Sequence, residues 1–325
     1  MNRRDAIAAG VAIAFTPLRA FAQQPGKVWR VGFLTFQSGP EDPPFKAFRD
    51  QLRQLGYAEG RNLSIEPRWA AGSDARLQEM VADLLRLKVD VIVTRSTTAT
   101  AAARRATGII PIVMAAAANP VGAGLIASLA RPGGNITGLD LNSTEIAGKL
   151  LQLLREVLPK ASRFGVLGYK GSAVMPLFNE NLQAAARQMG VTLVERQVQE
   201  PAEIAGAIAQ MQSARAQALI VQNTAFALDQ RAHLIQLTMK HRLPAMFSNR
   251  AFVDAGGFIS YAASIPEMYR RAAFYVDRIF RGANPADLPV EQPTKFDLVI
   301  NLKTAKALGL TIPQSVLLRA DEVIQ

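Results

Sequence analysis

The stretch VDVIVTRSTTATAAARRATGIIPIVMAAAANPVGAG, residues 89–124, decides the fold of this chain. It contains two short apolar runs, residues 89–93 and 109–114, which are continuous and rich in β-branched side chains. Continuous runs of this kind are typical of strands that are buried on both faces, as in a parallel sheet covered by helices. The stretch therefore predicts two neighbouring strands of an α/β sheet.

Polar residues follow each apolar run abruptly. Residues 94–98, TRSTT, come before an alanine-rich helical segment, and Asn119 and Pro120 come before what reads as the glycine-containing start of another helix. In open α/β sheets, ligands bind just beyond the carboxyl ends of the strands. The two polar strand ends therefore predict one wall of a ligand cleft.

The rest of the chain alternates predicted strands and helices, from a strand at residues 28–34 to a strand at residues 296–301. Such alternation indicates parallel sheets, and two similar blocks of these units indicate two doubly wound lobes. The length of 325 residues also fits two domains, each with its own core. The predicted fold class is α/β, with two doubly wound lobes and a ligand cleft between the carboxyl ends of their strands.

The composition excludes several kinds of site. The chain has no cysteine, which excludes disulfides and thiolate metal sites, and its 2 histidines exclude a multi-histidine metal centre. The net charge of +11 comes from scattered lysine and arginine residues, which favours a solvated surface over a nucleic-acid site. We expect no bound metal and no nucleic-acid partner.

No catalytic or cofactor motif is complete. The chain has no Gly-x-Ser-x-Gly, and Gly148-Lys149 lacks the remaining residues of a phosphate-binding loop. Residues 122–127 resemble a dinucleotide fingerprint, but Asn119, Pro120 and four alanines separate them from their strand. Their glycines are better interpreted as packing residues at a helix start. The sequence predicts neither a cofactor nor a catalytic set.

The first 22 residues have the pattern of a cleaved export signal. Arg3 and Arg4 form a positive segment, residues 7–17 are mostly apolar, and residues 20–22, AFA, match the small-x-small cleavage rule. The arginine pair leaves the twin-arginine and the general secretory routes both open. The apolar run is too short to cross a bilayer, so we expect a protein that does not span the membrane after cleavage.

Two polar strand ends and three aromatic residues are candidates for the site. Ser96, Thr97 and Thr98 can cap the following helix, whose free N–H groups suit a ligand carboxylate, and a plain cap without a ligand is the alternative. Asn119 can bind a polar group of a ligand or only form the turn with Pro120. The aromatic residues near predicted strand ends fit an apolar pocket, and they are Phe36, Phe247 and Tyr261.

Six runs spread over the chain carry a resemblance to a known family. They are GYAEGRNL (56–63), PIV (111–113), NPVGAGL (119–125), SLARPGGN (128–135), VEQPTKF (290–296) and INLKTAKALGL (300–310). These runs resemble the substrate-binding proteins of ABC transporters that include tryptophan- and tyrosine-type binding proteins. The resemblance covers essentially the whole chain after the signal, and it implies a type I periplasmic-binding fold, with two Rossmann-like lobes joined by three crossover strands.

The resemblance also implies lobe boundaries and ligand contacts. The first lobe is expected to hold residues 28–141 and about 263–288, and the second lobe residues 142–262 and about 289–325. The implied contacts lie at strand ends of both lobes, and they are Phe36, Gln37, Ser96, Thr97, Thr98, Asn119, Pro120, Tyr169, Lys170, Asn223, Thr224, Phe247, Asn249 and Tyr261. The family commonly has Asp where this chain has Asn119, and a neutral amide can only hydrogen-bond a ligand ammonium.

The predicted function is that of a periplasmic solute-binding protein of an ABC importer. It would capture a small molecule, such as an amino acid or an aromatic compound, by hinge closure and deliver it to a membrane permease with its ATPase. We expect a monomer without catalytic activity. Two alternatives stay open, a ligand-sensing module for a membrane receptor and a secreted α/β enzyme, although no nucleophile–base pair is visible for the latter.

The export signal leads to a first test. We expect the chain exported by a bacterial host to begin at Gln23, because Ala20 and Ala22 provide the small residues that the cleavage rule requires. Mass spectrometry of the periplasmic fraction measures this end. Ala22→Phe should retain the signal, and an exported wild-type chain that still begins at Met1 would contradict the prediction.

Overall fold

The computed structural model describes residues 27–35, 43–71, 73–172 and 174–325. A first sheet is built from the leading β–α units of the chain. These units are β1 (Trp29–Thr35), α1 (Pro43–Gln54), β2 (Leu63–Trp69), α2 (Asp74–Arg86), β3 (Val91–Arg95), α3 (Thr97–Ala106), β4 (Ile112–Ala117) and β5 (Ile136–Asp140). The strands lie in the order β2-β1-β3-β4-β5, and every pair is parallel.

A second sheet is built from the elements that follow. They are α4 (Ala147–Val157), β6 (Arg163–Tyr169), α5 (Met175–Met189), β7 (Thr192–Val198), α6 (Glu203–Ser213), β8 (Ala218–Val221), α7 (Ala225–Asp229), α8 (Arg231–Lys240), β9 (Ala245–Phe247), α9 (Arg250–Asp254) and β10 (Ile259–Ala263). The chain ends with α10 (Ile265–Phe280), a 3-10 turn (Pro285–Asp287), β11 (Phe296–Asn301), α11 (Leu302–Ala307), α12 (Gln314–Leu317) and β12 (Glu322–Ile324). The strand order is β12-β11-β10-β9-β8-β6-β7, and only the β10–β11 pair is antiparallel.

Helices cover both faces of each sheet. In the first sheet, α1 and α10 pack on one face around Phe33 and Tyr269, and α2 and α3 pack on the other face around Leu34 and Ile92. In the second sheet, α4 and α5 cover one face, and α6 and α8 cover the other. This arrangement confirms the predicted α/β class with two doubly wound layers, because strands without a polar face need an apolar cover on both sides.

The chain passes between the two sheets three times within the described residues. It leaves the first sheet after β5, returns to it at Ser264 between β10 and α10, and leaves again through the segment before β11. Helix α10 packs against α1, β4 and β5, so it belongs structurally to the first sheet. The lobe limits implied by the sequence stay a prediction.

The carboxylate of Asp140 holds the first and third passages together. Asp140 is 5% exposed, and its Oδ1 accepts hydrogen bonds from the backbone N–H groups of Asn119 at 3.1 Å and Asn142 at 3.0 Å. Its Oδ2 accepts a hydrogen bond from the side-chain amide of Gln292 at 2.9 Å. A buried carboxylate is tolerated only when hydrogen bonds replace its water. Asp140 therefore fixes the position of the first passage at Asn142 and of the third passage at Gln292, next to the first sheet.

An ion pair anchors the third passage to α10. The guanidinium of Arg271 donates two hydrogen bonds to the Glu291 carboxylate, at 2.7 Å and 2.6 Å. This guanidinium holds the pKa of the Glu291 carboxyl below its usual value. Thr137 of β5 adds a hydrogen bond to the carbonyl of Leu288 at 2.7 Å. The passage is thus tied to the first sheet before it joins the second.

The predicted elements need correction at three places. The strands β3 and β4 begin at Val91 and Ile112, later than predicted, and Ile109 is 90% exposed because it lies in the loop before β4. The predicted helix after Pro120 is absent, and among the described residues only turns connect β4 to β5. Its several glycines disfavour a helix. The sequence pattern also predicts a single helix over residues 226–241, and the structure has two helices there, α7 and α8.

We expect Gly138→Ala to destabilise the first sheet. Gly138 lies in β5 with a φ of +124°, and a Cβ at this position would overlap the backbone of Met114 in β4. The change should lower the free energy of unfolding by about 2–4 kcal/mol, measured by chemical denaturation. Gly134→Ala is the matched control, since a Cβ there meets no atom within 4 Å. Equal stability of the two variants would show that β5 can shift to make room.

Candidate functional site

A cavity of about 300 Å³ lies between the carboxyl ends of the two sheets. Its walls come from the ends of β3 and β4, from the loops after β6, β8 and β9, and from two passages between the sheets. The lining residues are Arg95, Ser96, Thr97, Thr98, Ala101, Ala116, Ala118, Ala123, Leu141, Tyr169, Gly171, Ser172, Val174, Asn223, Thr224, Ala225, Phe226, Leu228, Asn249 and Ile265. Its size suits a small organic molecule.

Several of the predicted ligand contacts line this cavity. They are Ser96, Thr97, Thr98, Tyr169, Asn223, Thr224 and Asn249. Other predicted contacts do not line it, and these are Asn119, Pro120, Lys170, Phe247 and Tyr261. Phe36 and Gln37 lie outside the described residues. The cavity thus brings together strand ends of both sheets, and ligand contact by any of these residues stays a prediction.

The junction between β3 and α3 forms the first wall. Ser96 is the N-cap of α3, and its Oγ accepts a hydrogen bond from the N–H of Ala99 at 3.2 Å, as the sequence predicts. Its backbone has a φ of 88° and a ψ of 152°, a conformation that is strained for any residue except glycine. The N–H groups of Thr97 and Thr98 belong to the first turn, so they have no partner within the helix. The wall therefore offers free donors at the positive end of a helix dipole.

The two threonines have different roles. The Thr97 hydroxyl donates a hydrogen bond to the carbonyl of Ala118 at 3.0 Å and lies 3.0 Å from the N–H of the same residue, which donates to it. It therefore ties α3 to the chain just after β4. The Thr98 side chain is exposed and has no hydrogen bond to the described residues. Of these two threonines, Thr98 is the one whose hydroxyl is available to a ligand without breaking a structural contact.

Asn119 forms the turn after β4. Its φ is +48°, its Oδ1 accepts a hydrogen bond from the N–H of Gly122 at 3.0 Å, and its own N–H donates to Asp140. Asparagine tolerates this left-handed conformation better than most residues. Of the two roles that the sequence left open for Asn119, the turn is the one that the structure describes.

An aromatic pair forms the apolar part of the second wall. Tyr169, at the end of β6, stacks on Phe226 of α7 with ring centroids 4.8 Å apart and planes 13° apart. Thr224 caps α7 through the N–H of Ala227 at 3.0 Å. Asn249 caps α9 in the same way, through the N–H of the residue two positions later. The caps hold the loops in place, and the stacked rings present a flat apolar surface to the cavity.

Strand alternation explains why two predicted aromatic contacts miss the cavity. Phe247 is 1% exposed and stacks on Phe252 at 4.4 Å, within the core under α6 and α8. Tyr261 stacks on Phe296 of the neighbouring strand at 5.6 Å, and burial raises the pKa of its phenol. Side chains of a strand point to its faces, where helices cover them, and not beyond its end. The exposed Lys170 likewise lies outside the cavity.

Arg95 and Phe226 line the cavity but are not among the contacts predicted from the sequence. Arg95 ends β3 directly before Ser96, so the strand-end rule that selected Ser96 could have included it. Phe226 lies within α7, and no local pattern marks it, because only the packing of α7 brings its ring onto Tyr169. Arg95 also lies over the ring of Tyr269, at 5.9 Å from its centroid, so α10 helps to position it.

The charges around the cavity restrict what it can bind. Among the described lining residues, Arg95 is the only one that is charged at neutral pH, and none is a carboxylate. The described part of the chain also holds no group of three or more potential metal ligands. The described walls can therefore hydrogen-bond an anionic or neutral group, but they offer no acid to neutralise a cation.

Comparisons with known proteins agree with this fold. Residues 35–324 match the family described as ABC transporter substrate binding protein. A tyrosine-binding protein of Clostridioides difficile (strain R20291) is 26% identical over 270 residues, which cover 83% of this chain and 77% of the relative.

Two solved structures are similar over nearly the whole chain. A conserved domain protein of Vibrio cholerae is 29% identical, with a TM-score of 0.85 over 91% of this chain and 100% of that chain. An ABC domain of Streptococcus pneumonia, solved in complex with L-Trp, is 29% identical, with a TM-score of 0.83 over 90% of this chain and 100% of that chain.

We expect Thr97→Val to destabilise the protein more than Thr98→Val does. The first change removes both hydrogen bonds to Ala118 and leaves its backbone groups unpaired, which should lower the free energy of unfolding by about 1–3 kcal/mol. The second change affects an exposed hydroxyl and should be nearly neutral. Thermal and chemical denaturation of the unliganded variants measures both. A neutral Thr97→Val would show that water replaces the lost hydroxyl.

Proposed function

This chain belongs to the ABC transporter substrate-binding protein family, and we propose that it captures a small aromatic carboxylate or aromatic amino acid for an importer. Its fold is the type I periplasmic-binding fold of its structural neighbours. The observation that carries the proposal is the cavity, which has free helix donors on one wall and a stacked aromatic pair on the other.

The first wall supports a ligand carboxylate. The N–H groups of Thr97 and Thr98 lie at the N-terminus of α3, where the helix dipole favours an anion, and the Thr98 hydroxyl adds a donor. A carboxylate bound there accepts several hydrogen bonds from groups that otherwise lack partners. The remaining ligand body then extends across the cavity toward the second sheet.

The second wall supports an aromatic body. The ring pair of Tyr169 and Phe226 matches a flat apolar group, and an aromatic ligand stacks favourably on such a surface. The similar streptococcal structure was solved with L-Trp, and the clostridial relative is named for tyrosine. The absence of a carboxylate among the described lining residues extends the candidates to aromatic acids without an ammonium group.

Hinge closure is the proposed mechanism. The ligand would bind one wall first, and the second wall would close on it, because contacts from both sheets exist only in the closed form. The three passages between the sheets would provide the hinge. The hydrogen bonds of Asp140 and Arg271 would hold the first and third passages to the first sheet during the movement. No bond is made or broken in this cycle, so we propose no catalysis.

A membrane permease with its ATPase is the proposed partner. The predicted export signal would place the protein in the periplasm, where the closed, ligand-bound form would dock on the permease. No helix of the described ranges is long and apolar enough to cross a membrane. We propose that the protein acts there as a monomer, since the cavity is formed by one chain.

Ligand titration tests the proposal. We expect one or more aromatic amino acids or aromatic carboxylates to raise the melting temperature in a thermal-shift screen, because a ligand of the folded state stabilises it. The best ligand should also reduce the radius of gyration in small-angle scattering. Tight binding without compaction would refute hinge closure, and no binding of any aromatic acid would refute the ligand class.

The carboxylate contact has its own test. Thr98→Val should weaken the best ligand by about 1–3 kcal/mol in titration calorimetry, because the hydroxyl that faces the cavity is lost. Thr192→Val is the matched control, since Thr192 is an exposed residue of β7 that does not line the cavity. An unchanged affinity of Thr98→Val would limit the contact to the backbone N–H groups of α3.

A further inference from the structure

Two buried polar side chains lie beneath the second wall without hydrogen-bond partners among the described residues. Gln222 is 2% exposed, and both its amide nitrogen and its amide oxygen are unpaired. Ser248 is 4% exposed, and its hydroxyl is unpaired. The residues that follow them, Asn223 and Asn249, line the cavity. Each unpaired side chain therefore belongs to the residue directly before a cavity-lining residue in the sequence.

These two residues follow neighbouring strands of the second sheet. The parallel strands β8 and β9 pair Val221 with Phe247, so Gln222 and Ser248 each follow a member of that pair. Val221 and Phe247 belong to the core under α6 and α8. Gln222 and Ser248 come directly after the last residues of β8 and β9, so both lie at the carboxyl edge of the second sheet, beside the cavity-lining Asn223 and Asn249. The two residues therefore occupy adjacent strand ends.

The neighbouring strand leaves room beside Gln222. Gly168 of β6 follows Leu167, which pairs with Val221, so it lies beside Gln222. A Cβ at Gly168 would overlap the side chain of Met175 and lie 3.5 Å from Oε1 of Gln222. The glycine thus keeps the amide oxygen close to the backbone at the end of β6. Buried polar groups without partners are costly, so folded proteins retain few of them without a reason.

We propose that Gln222 and Ser248 form a specificity subsite for a hydroxyl group at the far end of the ligand. The inference rests on the proposed function, in which the carboxylate lies at α3 and the ring lies against Tyr169 and Phe226. A phenolic hydroxyl that enters between Asn223 and Asn249 can donate to the amide oxygen of Gln222. The same hydroxyl oxygen can accept from the Gln222 amide nitrogen or from Ser248.

The subsite would favour ligands that pair with the polar groups of Gln222 and Ser248. A phenol would satisfy donors and acceptors that lack partners in the empty protein, whereas an unsubstituted ring would bury them without any partner. Sites built to hydrogen-bond a hydroxyl reject the analogue that lacks it far more strongly than apolar pockets reject an additional group. The competing explanation is a permanently buried water that satisfies both side chains in the absence of ligand.

Paired ligands with and without the hydroxyl test the subsite. Titration calorimetry compares L-tyrosine with L-phenylalanine, and p-coumarate with cinnamate. We expect the hydroxylated member of a bound pair to bind roughly 10-fold or more tightly than its analogue. Gln222→Met, which keeps the length of the side chain, should abolish this preference and leave the affinity for the unsubstituted ligand within about twofold. Ser248→Ala should reduce the preference in the same direction.

Stability measurements separate the subsite from a buried water. Gln222→Met should leave the melting temperature of the empty protein unchanged or raise it, because it removes an unpaired amide. Gln236→Met, on the exposed side of α8, is the matched control for both measurements. A clear loss of stability in Gln222→Met would show that the amide is already satisfied, and would overturn the subsite.

The remaining outcomes are also decisive. Equal affinity for the two members of a bound pair, or an equal effect of Gln222→Met on both, would overturn the subsite and leave the proposed function intact. If none of the four compounds binds but another aromatic acid of the thermal-shift screen does, the subsite is overturned and the proposed function stands. If no aromatic acid binds, both are contradicted.

Discussion

The hydrogen-bonded carboxylate of Asp140 is the constraint on which the relation between the two sheets depends. It lies at the end of β5, where the chain first leaves the first sheet, and it is almost fully buried. Such a group must replace its lost water with donors. The available donors are backbone N–H groups of Asn119 and Asn142 and the amide of Gln292, which lies far along the chain. One carboxylate therefore positions the turn after β4 and two of the three passages. Of these, the turn and the first passage border the cavity.

The two walls of the cavity arise from different physical causes. The first wall depends on a helix start, since Ser96 turns the chain from β3 into α3 in a strained conformation and Thr97 fastens that turn to Ala118. Its polar character therefore comes from backbone groups that the helix geometry leaves free. The second wall depends on side chains, because the stacked rings of Tyr169 and Phe226 come from different elements. One wall is suited to charge and the other to apolar area, and a ligand that bridges them needs both properties.

Some of the residues predicted at strand ends line the cavity, and ligand contact by them stays a prediction. Ser96, Thr98, Asn223 and Asn249 line it, because residues just beyond parallel strands reach the same edge of a sheet wherever the strands pack. Phe247 does not line it, because it lies within its strand and belongs to the helix-covered core. The turn at Asn119 shows a further limit of prediction from the sequence. Its residue type alone does not determine its backbone conformation or its hydrogen bonds.

By itself, the sequence determined the α/β class, the order of most elements and the strand ends that carry polar groups. These features follow from local patterns, because continuous apolar runs, helix caps and turn residues act over a few neighbouring positions. The tertiary structure alone decided which of those ends share one cavity, that Phe226 stacks on Tyr169, and that Gln222 and Ser248 lie unpaired beneath the second wall. Their partners are distant in sequence, and burial depends on the packing of whole sheets, so no local pattern could determine them.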